Sequence, residues 1–99
     1  MPLSQTQCKH LRRLGHSLKP VVSVGGSGLT DNLLAELENA LDHHELIKVR
    51  VRVGNRNRRD ALLDDLINQS KATLLQRIGN VALLYREAEK QKISLSKRE

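Results

Sequence analysis

Hydrophobic residues along this chain recur at two different periods. Cys8, Leu11, Leu14 and Leu18 fall at three- and four-residue intervals, which predicts a helix from Ser4 to about Leu18. Ser4 with Gln7 three residues later is a capping-box pattern, and Pro20 ends the helix because the residue before a proline avoids the α region. Val21-Val22-Ser23-Val24 is a β-branched run and reads as a buried strand. It enters Gly25-Gly26-Ser27-Gly28, through which a helix cannot continue. Thr30 is a good N-cap, and Leu33, Leu34, Leu37, Ala40 and Leu41 mark one face of a second helix. The acids Glu36, Glu38 and Asp42 fall outside that stripe.

The period then shortens to two. Ile47, Val49, Val51 and Val53 alternate with Lys48, Arg50 and Arg52, so one face of this strand is apolar and the other is a row of cations. Gly54 to Arg59 reads as a polar, basic loop. Ala61, Leu62, Leu63, Leu66 and Ile67 give a third helix, weakly punctuated at Ser70-Lys71. Thr73 to Ile78 and Val81 to Tyr85 flank Gly79-Asn80, the signature of a tight hairpin. The order α-β-α-β-α-β-β predicts a compact two-layer α/β sandwich with a four-stranded mixed sheet.

Length and charge narrow the picture. With 99 residues, the expectation is a single domain over residues 1–86 and a charged C-terminal tail over 87–99. Tyr85 is the only aromatic among Phe, Trp and Tyr, so the core must be aliphatic. The net charge of +6 favours polyanionic partners, and its distribution is uneven. No acid precedes Asp31. Residues 29–46 carry Asp31, Glu36, Glu38, Asp42 and Glu45 without Lys or Arg, and residues 47–59 reverse the pattern. Separate basic and acidic surfaces are expected. The lone Cys8 excludes an internal disulfide, and no apolar run approaches the ~20 residues of a membrane span. The chain reads as a cytoplasmic monomer without membrane attachment.

Gly25-Gly26-Ser27-Gly28 lies between a strand and a helix start, where glycine allows close backbone approach and a helix N-terminus offers N–H groups to a phosphate. No Lys-Ser or Lys-Thr follows, so it is not a P-loop, and the third glycine of a dinucleotide fingerprint is missing. Taken alone, it is also an ordinary tight turn. The cations Lys48, Arg50 and Arg52 repel one another with no acid inside the strand, a tension that a polyanion relieves and that solvent also tolerates. Sheet surfaces that stack bases need exposed aromatics, which this composition lacks. His43-His44 lacks a third ligand, and Asp60 with Asp64-Asp65 lacks a nucleophile or oxyanion motif. No catalytic residues, metal or cofactor are expected.

Four segments in this order resemble the CRM domain (chloroplast RNA splicing and ribosome maturation), whose stand-alone bacterial members are YhbY-like proteins. They are Leu18-Lys19-Pro20-Val21-Val22, Val24 through Thr30, His44 through Val51, and Val81 through Arg86. The resemblance implies an αβαβαββ fold similar to the C-terminal domain of translation initiation factor three. It implies RNA binding through the GxxG loop, with Gly25 and Gly28 as its glycines and Gly26-Ser27 as its variable pair. Bacterial members are associated with precursors of the large ribosomal subunit, and plant relatives with group II intron splicing. Members often carry a basic residue in the variable pair, which this chain does not, so the charge must come from neighbours such as Lys19, Arg12 and Arg13.

The expected function is therefore non-catalytic RNA binding in large-subunit assembly. Lys9, Arg12, Arg13, Lys19 and the amides of residues 26–28 are the expected phosphate contacts. Lys48, Arg50 and Arg52 form a second candidate surface, and the sequence leaves open whether it joins the first. The rival expectation is a protein-interaction module whose acidic helix docks a basic ribosomal protein.

Overall fold

A computed structural model of the chain describes residues 3–89. Ser4 Oγ accepts from the Gln7 N–H at 3.1 Å and Gln7 Oε1 accepts from the Ser4 N–H at 2.9 Å, so the capping box is reciprocal. Helix α1 spans Gln5–Gly15 and is shorter than its periodicity suggested. His16 caps its C-terminus, and the chain then turns into the extended approach to Pro20. Leu14 and Leu18 are consequently exposed, and Leu11 is the large buried residue of α1.

Strand β1 is Pro20–Val24, and Thr30 Oγ1 accepts from the Leu33 N–H at 3.1 Å to open α2 over Asp31–His44. Glu45, at φ 63°, reverses the chain directly into β2, Leu46–Val51. The third helix departs from expectation. Residues 56–59 are not loop but the first turn of α3, Arg56–Ser70, with Asn55 Oδ1 accepting from the Arg58 N–H at 2.9 Å. Cations there oppose the helix dipole, which disguises the start of the helix in the sequence. Lys71, left-handed at φ 60°, ends it. The hairpin of β3, Thr73–Ile78, and β4, Val81–Tyr85, has its expected bounds.

The sheet order is β1-β2-β4-β3, with β1 and β2 parallel and the other pairs antiparallel. The mixed sheet and element order agree with the sequence reading. Helices α2 and α3 cover one face, burying Leu37, Leu41 and Leu66 against Val24, Val49 and Leu84. Helix α1 lies across part of the other face, where Leu11 meets Leu46, Leu75, Leu83 and Tyr85. Its close approach is possible because position 15 is glycine: a Cβ there would lie 2.6 Å from a Leu83 methyl. Arg12 Nε donates to the Leu75 carbonyl at 3.0 Å, beside the bulge between Leu74 and Gln76.

Strand β1 is an edge strand. Its burial alternates, and Val21 is 49% exposed, so the strand expected to be buried is only half-buried. The expected tail begins within the described residues, where the Ala88 N–H donates to Glu45 at 2.6 Å. Residues 90–99 of that tail lie outside the described residues. Among the described residues, no helix is long and apolar enough to cross a membrane.

Candidate nucleic-acid interface

The parallel strands β1 and β2 end side by side, and the loops leaving their carboxyl ends form the candidate site. Ligands of open α/β sheets bind at this kind of strand end. Gly25 to Gly28 is a tight turn in which the Gly28 N–H donates to the Gly25 carbonyl at 3.0 Å. Gly28 adopts φ 75°, which disfavours any side chain, and its carbonyl accepts from the Thr30 N–H at 3.1 Å. This corrects the expectation of three available amides. That of Gly28 is consumed within the turn, while the Gly26 and Ser27 N–H groups donate to no group of the described chain. A side chain on Gly25 or Gly26 would meet no atom within 4 Å, so the exposed loop backbone is open to a ligand. Thr30 caps the start of α2 by accepting from the Leu33 N–H, and Asp31 occupies its first turn.

Arg58, in the first turn of α3, donates from Nη2 to the Gly26 carbonyl at 2.6 Å. That contact fixes the loop and brings a guanidinium to the variable pair. The sequence showed the Arg56–Arg59 cluster without indicating that it reaches the glycine loop, because the contact spans 32 positions. The Arg52 N–H donates to the Val24 carbonyl at 2.7 Å, and Arg50 pairs with Ser23 in the β1/β2 register. The backbone carrying Lys48, Arg50 and Arg52 therefore runs alongside β1 up to the start of the loop. Lys48 and Arg50 share with Lys19 a groove of about 260 Å³ floored by Pro20, Val81 and Leu83. Lys48 Nζ also donates to the His16 carbonyl at 3.4 Å.

The cations of α1 are placed differently. Arg12 is held at β3, the edge opposite the strand that carries the loop, and exposed Lys9 and Arg13 belong to the same helix. Arg58, and not Arg12, is the cation that touches the neutral Gly26-Ser27 pair.

On the other side of the first turn of α3, Arg56, Arg59, Asp60, Arg77 and Gly79 line a recess of about 330 Å³. Asp60 accepts from Arg77 Nη2. That hydrogen bond, aided by the charges of Arg77, Arg59 and Arg56, holds the Asp60 carboxyl below the ordinary carboxylate range. Arg59 Nε is buried without a hydrogen-bond partner among the described residues. On the acidic helix, Arg86 engages Glu38 and Asp42, each at 2.9 Å. His43 Nδ1 lies 2.7 Å from the Asn39 carbonyl, and no group of three His, Cys, Asp or Glu side chains among the described residues is arranged to hold a metal.

Comparison with known proteins gives a consistent match. The family model of the CRS1/YhbY (CRM) domain matches residues 3–86. A Pseudomonas aeruginosa protein named "Probable RNA-binding protein" is 50% identical, covering 97% of this chain and 92% of its own. A Haemophilus influenzae protein named RNA-binding protein is 45% identical, covering 97% of both chains. A Bacillus subtilis protein, also named as a probable RNA-binding protein, is 34% identical over 91% of this chain and 94% of its own. The solution structure of a Staphylococcus aureus protein described as a candidate RNA binder superposes with a TM-score of 0.76 at 31% identity, covering 92% of this chain and 95% of the other. Sequence and fold agree over nearly the whole length, and the chain belongs to the CRS1/YhbY (CRM) domain family.

Proposed function

We propose that this chain is a non-catalytic RNA-binding protein that acts in the cytoplasm as a monomer on precursors of the large ribosomal subunit. The observation that carries this reading is the loop at the end of β1: two adjacent amides without partners among the described residues, Arg58 on the loop backbone, and the Lys48–Arg52 row leading to it. Amides and guanidinium groups converging on one exposed turn suit a sugar-phosphate backbone. The relatives are named as RNA-binding proteins, and the family resemblance supplies the ribosomal context. Tyr85 is buried and the chain has no Phe or Trp, so recognition runs through phosphates and RNA shape rather than through base stacking.

Docking of a basic protein on α2 is less favoured, because Arg86 already engages two of its acids. Filter binding across a salt series tests the RNA reading. With about six phosphates neutralised on a single strand, log affinity falls against log salt with a slope near −4. Gly26→Glu with Ser27→Glu should abolish retention in a still-folded protein. Unchanged retention, or salt-independent binding, would refute the reading.

A further inference from the structure

We propose that the recess between the first turn of α3 and the β3–β4 turn is a second phosphate site, in which Arg56, Arg59 and Arg77 take one phosphate group of the RNA and Asp60 yields Arg77 to it. The identity of the strand rests on the RNA-binding reading; the affinity for phosphate does not.

Three independent features point to an anion. First, three guanidinium groups face a single carboxylate, so the recess carries unbalanced positive charge. Second, Arg56, Arg58 and Arg59 occupy a helix start that has no acid in its first turn and a neutral Asn55 cap. Cations oppose the dipole there, so the arrangement weakens the free fold and favours a bound anion. Third, Arg59 Nε is buried with no acceptor among the described residues, although buried donors are nearly always satisfied. A surface pair between Arg77 and Asp60 accounts for neither the second feature nor the third.

The recess is also accessible and well placed. Gly79 lines it without a side chain, and a Cβ there would meet no atom within 4 Å. Arg58, between Arg56 and Arg59 on the same turn, holds the Gly26 carbonyl. A strand leaving the glycine loop along this turn would bring its next phosphates to the recess. Guanidinium forks match phosphate oxygens in pairs, and the phosphate replaces Asp60 as the acceptor for Arg77. Asp60 is thus an internal competitor, present until RNA arrives.

The test uses the full chain, with RNA oligomers bearing a 5′-phosphate or a 5′-hydroxyl, and inorganic phosphate as a separate probe. Asp60→Asn is expected to tighten RNA binding about two- to fivefold, the range of a surface ion pair released to the ligand. Arg59→Gln with Arg77→Gln should weaken binding and make the salt slope shallower by about 0.7, one phosphate contact. Arg59→Lys, which keeps the charge without the fork, serves if the glutamine variants unfold, and should weaken binding by a smaller amount. Inorganic phosphate should shift the Nε–Hε resonances of Arg59 and Arg77 in the wild type. Equal tightening by Asp60→Asn on both oligomers assigns an internal phosphodiester, and tightening confined to the 5′-phosphorylated one assigns a terminal phosphate. Unchanged affinity in Asp60→Asn, an unchanged salt slope in the folded arginine variants and silent arginine resonances would overturn the site. If Gly26→Glu with Ser27→Glu still abolished binding, the RNA reading would survive that failure; if it too had no effect, both would fall.

Discussion

Arg86 follows directly on β4, where its guanidinium joins three elements, and replacing it with alanine should be among the more costly single substitutions outside the apolar core. Its Nη1 donates to the Ser70 carbonyl at 2.9 Å, and the same group pairs with Glu38 and Asp42 at 2.9 Å each. The carboxylates are 48% and 63% exposed, so each pair belongs to the surface range of about 0.2–1 kcal/mol. The bond to Ser70, a buried residue at the end of α3, is charge-assisted and contributes about 1.5–3 kcal/mol. Arg86→Ala should therefore cost about 2–5 kcal/mol, which lowers the melting temperature by about 10 °C or more in a domain of this size.

Urea unfolding followed by circular dichroism should show a lower midpoint with an unchanged slope. Glu38→Gln with Asp42→Asn should cost clearly less, because the bond to Ser70 persists. Raising the salt concentration should narrow the gap between wild type and Arg86→Ala without closing it. RNA affinity should be unaffected, since Tyr85 pairs with Leu46 at the start of β2, the end of the sheet opposite the glycine loop. A cost below about 0.5 kcal/mol, or a double acid variant as damaging as Arg86→Ala, would refute the assignment of Arg86 as a three-way tie.

Three further outcomes follow from buried or strained positions. Tyr85 buries a hydroxyl that has no partner among the described residues, and burial first, then the charges of Glu45 and Glu87, push its pKa up to about 12. The unfolded phenol ionises near its ordinary 10.0, so wild-type stability should fall between about pH 10 and pH 12, and Tyr85→Phe should remove that loss and gain about 1 kcal/mol at neutral pH, read from urea midpoints across pH. Gly28→Ala should cost about 1–2 kcal/mol because of its φ of 75°, whereas Gly26→Ala, facing open space, should leave the melting temperature nearly unchanged. Leu11→Ala should cost about 2–5 kcal/mol by emptying the contact that seats α1, measured by the same unfolding assay.

Local chemistry made much of this fold legible along the chain. Ser4 and Thr30 cap their helices through partners three residues away, and Gly79-Asn80 closes a hairpin whose strands are its immediate neighbours. The alternation from Ile47 to Val51 likewise established which residues of β2 face the core. Such signals survive in one dimension because both partners lie within a few positions of each other. The start of α3 escaped because its arginines contradict the usual charge preference of a helix N-terminus, a conflict consistent with a functional demand there.

Only the tertiary structure could show that Arg58 grips Gly26, that the Lys48–Arg52 row ends at the glycine loop, and that Arg12 sits at the far edge of the sheet. It also turned Leu14 and Leu18 outward and paired Asp60 with Arg77 across 17 positions. Periodicity tells which face of an element is apolar, but not which neighbour covers it. Strand order and helix placement settle that, and they emerge from burying all the apolar faces at once.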